Sequence, residues 1–125
     1  YIAERKSFGT TLAEHEGVQW MVGEAAKDIQ IGRLLVMHAA WKLEQGDFAR
    51  KEVSMAKIQV ADTLHSAVDT AIQLCGARGY SKDTLLEWMY RYARQARLVD
   101  GASEVHKMVL SRTLLNEGTK FWAWN

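Results

Sequence analysis

The sequence predicts an all-α protein, an antiparallel up-and-down helical bundle, and three observations carry that prediction. Its 125 residues contain no proline, the residue that breaks a helix by removing a backbone donor and clashing with the preceding turn. Two long stretches repeat their apolar residues at steps of three, four and seven, the period of one helix face. No stretch alternates strictly between apolar and polar residues, as a half-buried strand does. With 48% hydrophobic and 25% charged residues, the chain can fill one core and is too apolar for disorder.

The opening segment, residues 1–11, is polar, and Arg5-Lys6-Ser7-Phe8-Gly9 reads as a helix tail running into a glycine-broken turn. From about His15 to Gln45 the pattern is helical, on Val18, Val22, Ala25, Ile29, Val36, Ala40 and Leu43, and Gly46-Asp47 ends it. A second helix runs from about Arg50 to Cys75 on Val53, Ala56, Val60, Leu64, Ala67, Ala71 and Leu74, with Gly76 as its stop. Ile31, Leu34 and Leu35 in the first helix, and Met55, Ile58, Val68 and Ile72 in the second, lie off those seams. Each long helix therefore wants more than one neighbour.

Ala77-Arg78-Gly79-Tyr80 reads as a loop, and Thr84-x-x-Glu87 as a capping box for a shorter helix through about Ala96. A last helix follows Gly101 on Val105, Met108, Val109 and Leu115 and fades near Gly118. Phe121-Trp122-Ala123-Trp124 is then an aromatic tail, expected to dock on its own domain or on a neighbouring subunit.

Composition excludes several functions. A formal charge of +1 with interspersed signs gives no nucleic-acid footprint. No run approaches the roughly 18 apolar residues of a membrane span, and no signal segment opens the chain. The single cysteine, Cys75, between apolar neighbours, reads as a buried, reduced thiol. The start at Tyr1 rather than Met leads us to expect a fragment of a longer chain.

The chemistry concentrates at Leu98-Val99-Asp100-Gly101-Ala102-Ser103-Glu104. A carboxylate stands there on a short glycine turn just before an apolar helix. Ser103 is placed to cap that helix, or to form its first turn with Ala102. Asp62 and His65, three apart, share a helix face as the ligand pairs of di-iron bundles do. No second carboxylate-x-x-His completes such a set, so no metal is expected. His15, His38 and His106 read as structural or surface groups. Arg91, Arg94 and Arg97 form a basic ridge that could face a phosphate but reads by default as facing solvent and nearby acidic residues, and the five tryptophans read as core or interface anchors.

Taken together, Arg5-Lys6-Ser7-Phe8-Gly9, Gln73-Leu74-Cys75-Gly76-Ala77-Arg78-Gly79-Tyr80 and Asp100-Gly101-Ala102-Ser103 resemble, in order and spacing, the C-terminal helical domain of the acyl-CoA dehydrogenases. Glu14-His15 and Ala56-Lys57 extend the resemblance along almost the whole chain. It implies that a helix before Tyr1, an N-terminal helical domain and a middle β-domain lie outside this sequence. It also implies a fatty-acid-type oxidation: a carboxylate removes the α-proton of an acyl-CoA while the β-hydrogen passes as hydride to FAD, giving a trans-2-enoyl-CoA.

Asp100 stands where many members carry a glutamate, and the resemblance makes it the catalytic base, in the variant reading Asp-Gly-x-x-Glu-Val-His. Val99 and Gly101 fall on the substrate. Arg5, Phe8 and Gln73 fall on the FAD of a neighbouring subunit, with Gly76 and Gly79 letting the backbone approach it. Ala102 and Glu104 fall at further flavin positions, where many members have threonine and glutamine, while Glu16 and Ala77 also depart from the common pattern. The implied partners are acyl-CoA, further copies in a dimer or tetramer, and an electron-acceptor protein, in the cytoplasm of a bacterium or an organelle matrix. The contrasting expectation is a non-catalytic helical interaction module derived from the family.

Overall fold

In the computed structural model, which describes residues 1–123, two long antiparallel helices are joined by a tight turn, and shorter helices pack against the second. α1 spans Glu16–Glu44 and α2 spans Arg50–Cys75. Gly32 of α1 faces Val60 of α2 so closely that a Cβ on residue 32 would sit 3.3 Å from the Val60 Cγ2. In the turn between them Gly46 is left-handed, and the Asp47 carboxylate accepts the Ala49 N–H at 3.0 Å. That bond fixes the buried Ala49 at φ +47°, a conformation an alanine otherwise leaves. α2 ends at Gly76, whose φ of +58° suits a residue without a side chain.

α2 is the hub: α1, α3 (Ala77–Tyr80), α4 (Leu86–Gln95) and α5 (Ser103–Glu117) all pack on it. The buried apolar positions along the α1–α2 contact are small, Ala39, Ala56 and Ala61 with Gly32. The larger seam residues Ile29, Val36, Leu43, Val53 and Val60 stand exposed beside that contact. Two helices cover only the stripe where they touch, and here small residues fill it. Val68, expected off the seam, is buried at 5% exposure, because helices cover α2 on several sides.

Five expectations need correction. The opening segment is a hairpin, not a helix tail: β1 (Lys6–Ser7) pairs antiparallel with β2 (Thr10–Thr11), Ser7 opposite Thr10. Its two-residue turn holds Phe8 at φ +52° and Gly9 at φ +88°, the doubly left-handed turn that matches strand twist. Residues 77–80 form a helical turn rather than a loop. A Cβ on Gly79 would meet the Ile72 carbonyl oxygen at 2.8 Å, so its small size serves packing on α2. The capping box does not form: the Thr84 hydroxyl accepts the Leu86 N–H at 3.3 Å, and α4 starts without a side-chain cap.

Cys75 is half-buried rather than buried. Trp20, Trp41, Trp88 and Trp122 are all exposed, so none is a core anchor. Trp124 lies outside the described residues. The tail docks through Phe121, which is buried; Lys51 donates to its carbonyl at 2.7 Å and lies 4.9 Å over its ring.

Candidate active site

The connection from α4 to α5 is compact. The N–H groups of Leu98 and Val99 donate to the Gln95 carbonyl, and the Ser103 N–H closes the loop on the Arg97 carbonyl at 3.1 Å. Between those bonds Asp100 (φ +54°) and Gly101 (φ +88°) reverse the chain as successive left-handed residues. Asp tolerates this region better than most residues, since its short side chain interacts with the local backbone. α5 then begins at Ser103, with Ala102 as the flanking residue. Ser103 does not cap it: its hydroxyl is buried, with no hydrogen-bond partner among the described residues. Asp100, Val99, Gly101 and Glu104 are exposed, and Ala102 is half-buried.

Side chains of α2 hold this connection. Lys57 donates through Nζ to the Ala96 carbonyl. The Arg97 Nε lies 3.3 Å from an Asp62 carboxylate oxygen. His106 of α5 lies between the Ser54 hydroxyl and the Asp100 carbonyl. Sequence reasoning missed Ser54 and Lys57 as site residues: a serine inside a helix carries no signal until a loop is seen against it, and Lys57 entered only with Ala56 as part of the resemblance. His106 had one: it ends the Asp-Gly-x-x-Glu-Val-His run.

Asp100 and Lys57 stand at the rim of an apolar trough of ≈ 550 Å³, floored by Ala39, Ala56 and Ala61 and flanked by Val36, Leu43 and Val60. A second hollow of ≈ 500 Å³ shares Val36, Val60 and Leu64 and carries the trough on to Ile29. From Ile29 to Leu43 it follows about 20 Å of α1.

The remaining site residues lie elsewhere. Because Gly32 faces Val60 in an antiparallel pair, the start of α1 lies beside the end of α2. That end carries Arg5 and the Phe8 hairpin before α1, and Gln73 and Gly76 at the close of α2. Phe8 is 98% exposed at the hairpin tip, its ring edge-on to His15 with centroids 6.4 Å apart. Arg5 is exposed and makes no ion pair among the described residues; its carbonyl accepts the Leu12 N–H at 2.8 Å. Gln73 is exposed, and a Cβ on Gly76 would meet nothing within 4 Å. Arg78 lies 5.9 Å over the Tyr1 ring, joining the chain start to this end.

Lys57, beside Asp100, and Gln73 are separated by about 24 Å along α2. The fold thus brings Val99, Asp100, Gly101, Ala102 and Glu104 together, and separately Arg5, Phe8, Gln73 and Gly76, with Glu16 beside the second group. Asp62 and His65 do not converge as ligands: Asp62 pairs with Arg97, and His65 packs on Tyr90 at 5.0 Å. No group of three metal-binding side chains occurs among the described residues.

Asp100 is thus an exposed carboxylate on a left-handed turn at the edge of an open helical bundle. The chain belongs to the acyl-CoA dehydrogenases, flavoprotein oxidoreductases, as their C-terminal domain, which it matches over residues 1–115. It is 38% identical over 124 residues to acyl-CoA dehydrogenase family member 11 of Gallus gallus, covering 97% of this chain and 16% of that protein. It is 35% identical over 115 residues to the NADH-dependent acryloyl-CoA reductase of Anaerotignum propionicum, covering 92% and 29%. It superposes on the crystal structure of an acyl-CoA dehydrogenase from Geobacillus kaustophilus with a TM-score of 0.87 at 29% identity, covering 91% of this chain and 30% of that one. The chain thus spans less than a third of the length of these relatives.

Proposed function

We propose that this chain is the C-terminal domain of a longer, FAD-dependent acyl-CoA dehydrogenase and supplies the catalytic base, Asp100. The observation that carries the reading is the placement of Asp100: a carboxylate exposed on a left-handed turn at the rim of the bundle, with its neighbours tied to α2. Asp100 accepts the α-proton of the thioester, with Val99 and Gly101 beside the acyl group. FAD, when bound, supplies the hydride acceptor at the β-carbon. The product is then a trans-2-enoyl-CoA, and an electron-acceptor protein draws off the electrons.

The residues fit a flavin nucleotide. The exposed guanidinium of Arg5, which makes no ion pair among the described residues, suits a pyrophosphate through paired charge-assisted hydrogen bonds. An exposed ring at Phe8 can stack, and the open face of Gly76 lets a ligand reach the backbone. The resemblance gives Arg5, Phe8, Gln73 and Gly76 to the cofactor of a neighbouring subunit, and their place at the opposite end of the α1–α2 pair from Asp100 supports that reading. Ala102 and Glu104 face the flavin that Asp100 serves.

The trough is the seat of a further helix from the rest of the protein, preceding Tyr1. Ile29, Val36 and Leu43 stand seven apart on α1, and Val53 and Val60 seven apart on α2. Apolar residues at that interval on both walls match the seam of a third long helix. A second reading, a non-catalytic oligomerisation module, draws support from those same exposed apolar faces.

One experiment decides between them in the full-length protein. Asp100→Asn keeps the size of the side chain and removes the proton acceptor. Flavin content should stay intact while flavin reduction by acyl-CoA, followed by rapid mixing, slows at least about a hundredfold. Asp100→Glu should retain partial activity. An Asn variant that bleaches at the parent's rate places the base elsewhere and favours the interaction module.

A further inference from the structure

Asp100 sits at φ +54°, a conformation that an aspartate enters more readily than most residues but that still gains from support by its surroundings. The Asp100 carbonyl is held by a side chain from the next helix. His106 lies one turn into α5, with Nε2 3.4 Å from the Asp100 carbonyl oxygen and Nδ1 3.1 Å from the Ser54 hydroxyl on α2. A carbonyl oxygen only accepts, so Nε2 carries the proton and donates. In the neutral ring Nδ1 then accepts, and the Ser54 hydroxyl donates to it. Ser54 is 3% exposed, which leaves its hydroxyl little freedom to turn elsewhere.

Gly101 completes the fit. A Cβ there would stand 2.8 Å from the His106 Nε2, so the imidazole fills the space that any side chain on residue 101 would need. Three residues along α2 from Ser54, Lys57 holds the Ala96 carbonyl. The segment 96–101 is thereby suspended at both ends from one face of α2.

We propose that His106 is a positioning residue: oriented by Ser54, it fixes the backbone of the Asp100–Gly101 turn and so sets the reach of the carboxylate. The proposal rests on the reading of Asp100 as the base. A base displaced by a fraction of an ångström loses rate while substrate binding, made elsewhere, is little changed.

The test uses the full-length enzyme with two readouts, rapid-mixing flavin reduction and amide exchange over the peptide containing residues 98–103. His106→Ala should lower the limiting reduction rate about 10- to 100-fold, leave the apparent acyl-CoA affinity within about threefold, and speed exchange at the turn about tenfold. His106→Gln, whose amide nitrogen reaches about as far as Nε2, should recover most of the rate. Ser54→Ala, which frees the ring but keeps the donor, should fall between them. Exchange in α1 should be unchanged in all three, which separates a local effect from unfolding. If His106→Ala does not fold, the Gln and Ser54→Ala variants decide. Parent-like rates together with parent-like exchange in His106→Ala, or in Ser54→Ala if the His106→Ala variant does not fold, overturn the proposal. Should Asp100→Asn react at the parent's rate while His106→Ala speeds exchange, the base assignment fails and the tether stands.

Discussion

The two ends of the α1–α2 hairpin are built in opposite ways. At the Asp100 end, side chains from α2 and α5 reach into the turn: Lys57 takes the Ala96 carbonyl, Asp62 meets Arg97, and Ser54 supports His106 against Asp100. At the Arg5 end, the hairpin is closed mainly by its own backbone, with Leu12 donating to Arg5 and Ala13 to Ile2. One side chain, His15, reaches back to the Ser7 carbonyl at 3.0 Å. Phe8 projects from its tip into the open. On the proposed reading, the difference follows from two duties. A base must be fixed within its own chain, because proton transfer depends steeply on geometry. A group that grips a ligand held mainly by another subunit needs only to be presented, and its contacts are completed on assembly.

The largest effect is expected at Arg5. In the full-length protein, Arg5→Ala should weaken flavin retention by about 1.5–3 kcal/mol, the worth of a charge-assisted contact, with the melting temperature of the apoprotein unchanged. Flavin content measured by absorbance after dialysis checks it, and parent-like occupancy would remove Arg5 from the cofactor. Next comes Gly101→Ala at the opposite end. A left-handed alanine costs about 1–2 kcal/mol, and here its Cβ also meets the His106 ring, so chemical denaturation should show a loss of at least that size. The smallest effect is at Phe8. Phe8→Asn exchanges an exposed ring for a residue that accepts positive φ and should raise stability by about 0.5 kcal/mol, while flavin retention falls. Stability and flavin retention thus move in opposite directions at Phe8, whereas the change at Gly101 is read in stability.

The long helices were legible because seven-residue apolar spacing and terminal glycines act locally. α2 runs from Arg50 to Cys75 as its pattern predicts, and α1 differs by one residue at each end. The hairpin was not legible, since strands of two residues have no period to read. Thr84 and Glu87 had the spacing of a capping box, but a nearer partner, the Leu86 N–H, took the threonine hydroxyl. Which residues are core was legible only in part. The apolar spacing marks Val36, Leu43, Val53 and Val60 correctly as one face, yet that face is the wall of a trough, because two helices pack through their smallest residues. Asp100 was visible as a carboxylate beside a glycine before a helix. That Arg5 and Asp100 stand apart was implied by the resemblance, and the antiparallel pairing of α1 and α2 puts them at opposite ends.

The central claim, that the two ends serve the flavins of different subunits, is tested most directly by mixing two defects. Asp100→Asn and Arg5→Ala subunits of the full-length protein are co-refolded into hybrid oligomers at an FAD concentration where the Arg5→Ala form alone is largely empty. If each flavin is served by Asp100 of one subunit and gripped by Arg5 of its neighbour, every such hybrid pair contains one doubly damaged site and one intact site. The mixture should then regain a fast phase of flavin reduction that neither parent shows. If both residues serve one flavin within a subunit, every site keeps one defect, and the mixture will reduce no faster than the sum of its parents.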